Sequence, residues 1–221
     1  MLRFFSKFKY LALTLFILSA IIITLFYNAL KPHETLPIYQ PSMVKAELVD
    51  STIQYVKKYH TIADFKLINQ NGDTITQDNY KDKIYVADFF FTTCPTICPI
   101  MTGNMAEIQK KTMPYDDVML LSHSVTPQID SVPQLKKYAL DKGVNDRKWN
   151  LVTGDKKQIY ELARKSYLAV LNDGDGGPYD MIHTENFILV DKKKRIRGFY
   201  DGTNPEDMDK LIHDIEILKA E

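Results

Sequence analysis

Cys94 and Cys98 are the chain's only cysteines, and they stand four residues apart in TTCPTICP. A disulfide between them would enclose three residues and stabilise little, because the stabilisation grows with the length of loop closed. A chemical role is therefore the better reading. Within a helical turn, side chains at i and i+4 share a face, so both sulfurs can reach a single ion. The pair lies between an apolar run, IYVADFFFTT, and a stretch of helical spacing that starts near Pro99. Pro99 suits a first helical turn, where its missing N–H has no partner to lose. Unpaired N–H groups and the positive end of the helix dipole then lie beside the thiols and lower their pKa, favouring thiolate. Thiolate both binds metal and attacks disulfides, so the pair alone leaves metal binding and redox exchange open. Two thiolates suit Cu(I), and an added imidazole lets Cu(II) be held as well. A closed zinc site would want a fourth ligand, which no further cysteine supplies.

Five histidines compete for the third position. His33 lies close to a long apolar segment, His60 precedes the first strand, and His213 falls in an amphipathic final helix. His123, in LLSHSV, sits inside a strand and reads as a hydrogen-bonded core residue. His183, in YDMIHTENFILVD, directly precedes the last hairpin. In thioredoxin-like folds that loop packs against the cysteine turn, so an imidazole there can complete the site.

The elements that must carry these residues follow from the patterning. FKLINQNGDTIT reads as two strands around Asn71-Gly72, and Ile84–Thr93 as a central strand buried on both faces. A helix follows from Pro99 to about Lys111, then a strand in VMLLSHSV and a helix over 132–142. LVTG is a brief strand, IYELARKSYLAV a helix, NFILV and RIRGFY a hairpin, and PEDMDKLIHDIEILK the closing helix. Strands alternating with helices argue for an α/β fold with a mixed sheet.

Residues 10–30 carry no charge, and as a helix they would extend about 32 Å, a bilayer's hydrocarbon thickness. Arg3, Lys7 and Lys9 precede them, which keeps the N-terminus cytoplasmic and exports the rest. The apolar run passes Ile21 to Tyr27 without a small-x-small cleavage site, so an uncleaved anchor is expected rather than a signal peptide. The expected organisation is a cytoplasmic N-terminus at 1–9, an anchor at 10–30, a proline-containing tether at 31–58 and one folded domain at 59–221. Lys and Arg balance Asp and Glu at 28 each, so the basic excess that draws proteins to nucleic acid is missing.

The run Cys94-Pro95-Thr96-Ile97-Cys98-Pro99, with Thr92 before it, His183-Thr184 ahead of FILVDKKKRIRGFYDG, and a single anchor, resembles the Sco/SenC family of copper chaperones. The likeness extends from about His60 to Gly202 through SVTPQIDSVPQLKKYA and WNLVTGDKKQIYELARKSY. It implies a thioredoxin-like fold, with Cys94, Cys98 and His183 binding one copper as Cu(I) or Cu(II). The implied activity is delivery of copper to the dinuclear copper site of cytochrome c oxidase. The alternative is a thiol:disulfide oxidoreductase that reduces the target subunit's cysteines through Cys94 and Cys98. Implied partners are the oxidase's copper subunit, an upstream copper donor and a thiol reductase. The implied location is a bacterial inner membrane, with the domain on the periplasmic side. The sequence departs from the family in one place: Thr126-Pro127 replaces the usual Asp-Pro, while Asp130 keeps the second acidic position. His183-Thr184 also stands where thioredoxin-like reductases usually carry a cis-proline, which favours metal over disulfide exchange. A peroxidase reading lacks an arginine close in sequence to the cysteines.

Weaker signals are read structurally. LNDGDGGPYD resembles a calcium loop, but counted from Asp173 the fifth and twelfth positions are Gly177 and Thr184, so a flexible acidic loop is expected. Lys192, Lys193, Lys194, Arg195 and Arg197 read as a solvated turn, and Phe89, Phe90 and Phe91 as core. Met101, Met105 and Met113 are core filler without a ligand role.

Overall fold

The computed structural model describes residues 2–30, 34–170, 177 and 180–221. They form two units, Met1–Thr35 and Leu36–Glu221. The first holds helix α1 (Leu2–Leu30), whose stretch Phe8–Tyr27 has a mean hydropathy of 2.3 and is long and apolar enough to cross a membrane.

The second unit is built on a seven-stranded sheet: β1 (Lys66–Asn69), β2 (Thr74–Thr76), β3 (Ile84–Phe90), β4 (Val118–Ser124), β5 (Trp149–Thr153), β6 (Asn186–Val190) and β7 (Ile196–Asp201). The order is β2-β1-β5-β4-β3-β6-β7, with β3, β4 and β5 parallel and the remaining pairs antiparallel. This is the expected mixed α/β arrangement. Every residue of β3 is buried, because helices cover both faces of the sheet centre. One face packs Val86, Phe90, Leu120 and Trp149 against α2 (Ile97–Thr112), α3 (Val132–Lys142) and α5 (Pro205–Ala220). The opposite face packs Tyr85, Ala87, Phe89 and Leu121 against α4 (Lys156–Glu161) and the segment leading into β1. The hairpin turn between β1 and β2 forms where Asn71-Gly72 predicts it. Gly72 takes φ 84°, and the Asn69 carboxamide oxygen accepts from the N–H groups of Asn71 and Asp73.

Strand β3 stops at Phe90, short of the Thr93 expected, and three further boundaries differ from the sequence reading. Helix α2 begins at Ile97, two residues before Pro99, so Cys98 itself lies in the first turn. Pro99 is still accommodated, since the first four N–H groups of a helix have no intrahelical partner. The helix read through IYELARKSYLAV is regular only over α4 and continues as a π-helical turn that ends at Ser166, and Leu168 beyond it takes φ 52°.

The third difference is the stretch expected as tether: its part from Leu36 onward is packed. Val49 is 1% exposed, the Tyr39 N–H bonds the Ile196 carbonyl along edge strand β7, and Tyr39 meets Phe199 edge-on. Arg197, 3% exposed, reaches the carbonyls of Leu36 and Pro37 while pairing with Asp191 and Glu221. A buried guanidinium needs its donors matched, and these backbone oxygens take two of them beside the two that meet carboxylates.

Candidate metal centre

Strand β3 ends at Phe90, and the chain turns through Thr92 and Thr93 to Cys94 before α2 begins. The Cys94 N–H bonds the Phe91 carbonyl at 3.3 Å, and both cysteines join the apolar layer beneath α2. They are free thiols, and Cys94 is the more exposed. Burial opposes ionisation of Cys94. Hydrogen bonds from the backbone of Cys98 and Thr96, then from the Cys98 thiol and Thr96 hydroxyl, more than offset it and bring Cys94 down to about 7. These backbone donors are the unpaired N–H groups of the helix start.

Cys98 goes the other way, against the expectation that both thiols would be lowered. Burial pushes it up to about 12, aided by the proximity of Cys94 and the Asp88 carboxyl, although a hydrogen bond from the Phe91 backbone pulls it down. One thiol is therefore poised to ionise at neutral pH, and its neighbour holds its proton.

The turn before Cys94 is anchored by Asp130, which is fully buried. Its carboxylate accepts from Thr92 Oγ1 at 2.6 Å, Ser124 Oγ at 2.6 Å and Thr126 Oγ1 at 3.0 Å, and Gln134 Nε2 donates to Thr92 Oγ1. Here Thr126 in place of an acidic residue has a physical role, since its hydroxyl donates to Asp130 where a second carboxylate would repel it.

His183 is exposed, on the loop between Asp180 and β6. Its imidazole stands edge-on to the Phe91 ring with centroids 6.0 Å apart. Phe91 packs against both core layers, so it lies between the cysteine turn and the histidine loop. The structure thus brings the cysteines together and His183 to the same strand end. Among the described residues, no group of three or more His, Cys, Asp or Glu is gathered closely enough to hold a metal ion. Phe91 is the site residue that sequence reasoning missed, having been assigned to the core. Its position at the C-terminal end of the central strand, next to the cysteine turn, was the available signal.

The other histidines have structural surroundings. His123 is fully buried among Phe65, Phe89 and Tyr167, with Nδ1 3.3 Å from the Asp88 carbonyl; burial lowers it to about 4. His60 Nε2 meets the Ser166 carbonyl at 2.8 Å, and His213 is exposed on α5. His33 lies outside the described residues, as do Asp173 and Asp175 of the acidic loop. The basic turn is largely paired: Lys192 with Asp117, Lys194 with Asp64, and Arg195 and Arg197 with Asp191.

Asp88 lies in β3 with Oδ1 unpartnered, and burial raises it to about 7 despite a hydrogen bond with Ser122. A raised carboxyl contributes stability that is complete below its ordinary value of 3.8 and is lost as pH rises through about 7. His123 runs oppositely: its contribution is present above 6.5 and lost as pH falls through about 4. Asp88→Asn keeps the shape and takes no charge, and His123 is common to both proteins. The variant is expected to be more stable than wild type at pH 8, by roughly one to a few kcal/mol, with the gap closing toward pH 4. Calorimetry across that range would refute this if the gap did not change with pH.

Comparison with known proteins places these residues in context. The profile of the SCO1/SenC family matches residues 54–219. The SCO1 protein homolog of Bacillus subtilis is 33% identical over 159 residues, covering 71% of this chain and 82% of that protein. Among solved structures, a SCO1/SenC family lipoprotein from Bacillus anthracis superposes with a TM-score of 0.64 at 30% identity, covering 72% of this chain and 95% of that one. BsSco, described as a member of the Sco family of cytochrome c oxidase assembly proteins with a disulfide switch, gives 0.61 at 32% identity over 72% and 93%. Arabidopsis thaliana ScoI with copper bound gives 0.55 at 26% identity over 70% and 97%. The fold is thioredoxin-like, with the mixed sheet and flanking helices described above.

Proposed function

Because this chain belongs to the SCO1/SenC family, we propose that it is a membrane-anchored copper metallochaperone that serves cytochrome c oxidase assembly. The observation that carries the reading is the pairing of a thiol poised near neutrality with a second thiol on the same helix start, and an exposed imidazole across Phe91. Copper is the cargo, and the donor set suits it: two soft sulfurs for Cu(I) and one nitrogen that also accommodates Cu(II). Cys94 and Cys98 supply the sulfurs. His183 supplies the nitrogen by turning from the Phe91 ring toward the thiols. Cys94 is ready to ligate at pH 7, whereas Cys98 must give up its proton as metal arrives, which makes uptake pH-dependent. Ligand exchange then passes the ion to the dinuclear copper site of the oxidase. The basic flank at Arg3, Lys7 and Lys9 supports a single-pass orientation with the domain outside a bacterial inner membrane, in the periplasm.

The asymmetry of the thiols also favours a second reading, thiol:disulfide exchange on the oxidase subunit's cysteines. Cys94 thiolate would attack the partner's disulfide, and Cys98, once deprotonated, would displace the partner thiolate by attacking Cys94. Two electrons pass to the partner, and a Cys94–Cys98 disulfide remains for an upstream reductase.

Titrating the reduced full-length protein in detergent with Cu(I) and Cu(II) separates the readings. Delivery of copper predicts one equivalent bound, with His183→Ala weakening Cu(II) more than Cu(I). Failure to bind copper, with disulfide exchange intact in His183→Ala, would leave only the second.

A further inference from the structure

The loop that carries His183 is held at both ends. On one side Asp180 forms a two-pronged ion pair with Arg164, Nη1 to Oδ2 and Nη2 to Oδ1 each at 2.7 Å, and both side chains are under a tenth exposed. The Asp180 carbonyl also accepts from Lys156 Nζ at 2.8 Å and Tyr160 Oη at 3.1 Å. On the other side, Thr184 Oγ1 and Asn186 Nδ2 both donate to the Ala169 carbonyl, at 2.8 and 3.1 Å. Between these fastenings lie only Met181, Ile182 and His183, and the Ile182 side chain is buried at 3% exposure.

Arg164 comes from the π-helical turn Leu162–Ser166, and α4 before it supplies Lys156 and Tyr160. Such turns are rare and are frequently found at functional sites. A planar guanidinium meeting a carboxylate in this way fixes orientation as well as distance, and breaking one partner of a buried pair leaves a charge uncompensated. Arg164 and Asp180 therefore do more than fill space. They set where the backbone of a three-residue span begins.

We propose that the Arg164–Asp180 pair is a positioning device for His183, which holds the loop backbone so that the imidazole reaches the thiols by side-chain rotation rather than by loop travel. The proposal rests on the copper reading given above. Neither residue touches the metal; both act through the path of residues 181–183. Loosening the pair lets the span wander, and the imidazole then spends less time within reach.

The test compares wild type, Arg164→Gln, Asp180→Asn, His183→Ala and the Arg164→Gln/His183→Ala double variant, full-length in detergent, by Cu(II) titration and electron paramagnetic resonance. Arg164→Gln is expected to weaken Cu(II) by about 10- to 100-fold, the range for groups that orient a ligand. The nitrogen hyperfine signature of bound imidazole should fade, and no further loss should follow when His183 is also removed. Melting temperatures identify any variant that fails to fold, and Asp180→Asn, with its nearly unchanged shape, is then read in place of Arg164→Gln. If wild type binds one copper and either variant keeps wild-type affinity and signature, or the losses add in the double variant, the clamp is overturned and the copper reading stands. If wild type binds no copper, both fall together.

Discussion

Replacing Cys98 with serine is expected to remove copper binding, with a loss beyond the roughly 10- to 100-fold that follows removal of a group that merely orients a ligand. The exchange trades a soft thiolate for a hydroxyl that neither ionises near neutral pH nor matches the metal's preference for sulfur. Cys98 is 3% exposed, and its thiol is pushed up to about 12, so in the wild-type protein copper must displace a proton from it. Calorimetry in buffers of different ionisation heat reads that proton directly, and Cys98→Ser should lose both the heat of binding and the released proton. Cys94→Ser should be as damaging to affinity while releasing fewer protons' worth of difference, because Cys94, at about 7, is already half ionised at neutral pH. A Cys98→Ser protein that folds and binds copper with wild-type affinity would remove this residue from the site.

The second large effect is kinetic. With Cys94 brought down to about 7 and Cys98 pushed up to about 12, the thiolate present at pH 7 is overwhelmingly that of Cys94. Intrinsic nucleophilicity falls with pKa and returns only part of that difference, so Cys94 should be alkylated well ahead of Cys98, by about tenfold or more. Exposure adds to the bias, since Cys94 is the less buried of the two. Timed iodoacetamide labelling of the reduced protein, followed by peptide mass spectrometry, should find Cys94 modified first and its rate rising through pH 7. Equal rates, or Cys98 first, would reverse the assignment of attacking thiol in the disulfide-exchange reading.

Much of this architecture is legible from local chemistry. The apolar run Ile84–Thr93 reads as a buried central strand and is one as far as Phe90, Asn71-Gly72 reads as a turn, and Pro99 suits a first helical turn. The spacing of Cys94 and Cys98 put both sulfurs at one helix start, and the resemblance added His183. What escaped depends on distant partners. The Leu36 and Pro37 carbonyls are held by Arg197, far along the chain, and no pattern within residues 31–58 announces that contact. The π-helical turn is equally silent in LARKS, since Arg164 has its role only once Asp180 lies beside it. The opposite pKa directions of two cysteines in one motif follow from a difference in depth, which spacing does not encode.

The chain's single tryptophan, Trp149, gives this arrangement an optical handle. Its ring is 1% exposed in the same layer as both cysteines, and its indole Nε1 donates to Ser122 Oγ at 2.8 Å, the hydroxyl that also serves Asp88. An indole held in so dry and fixed a setting emits toward the blue, and its emission shifts when a neighbouring charge appears or disappears. Excitation near the red edge of indole absorption would thus follow events beneath the cysteine helix without an attached dye, from a fluorophore already built into the core.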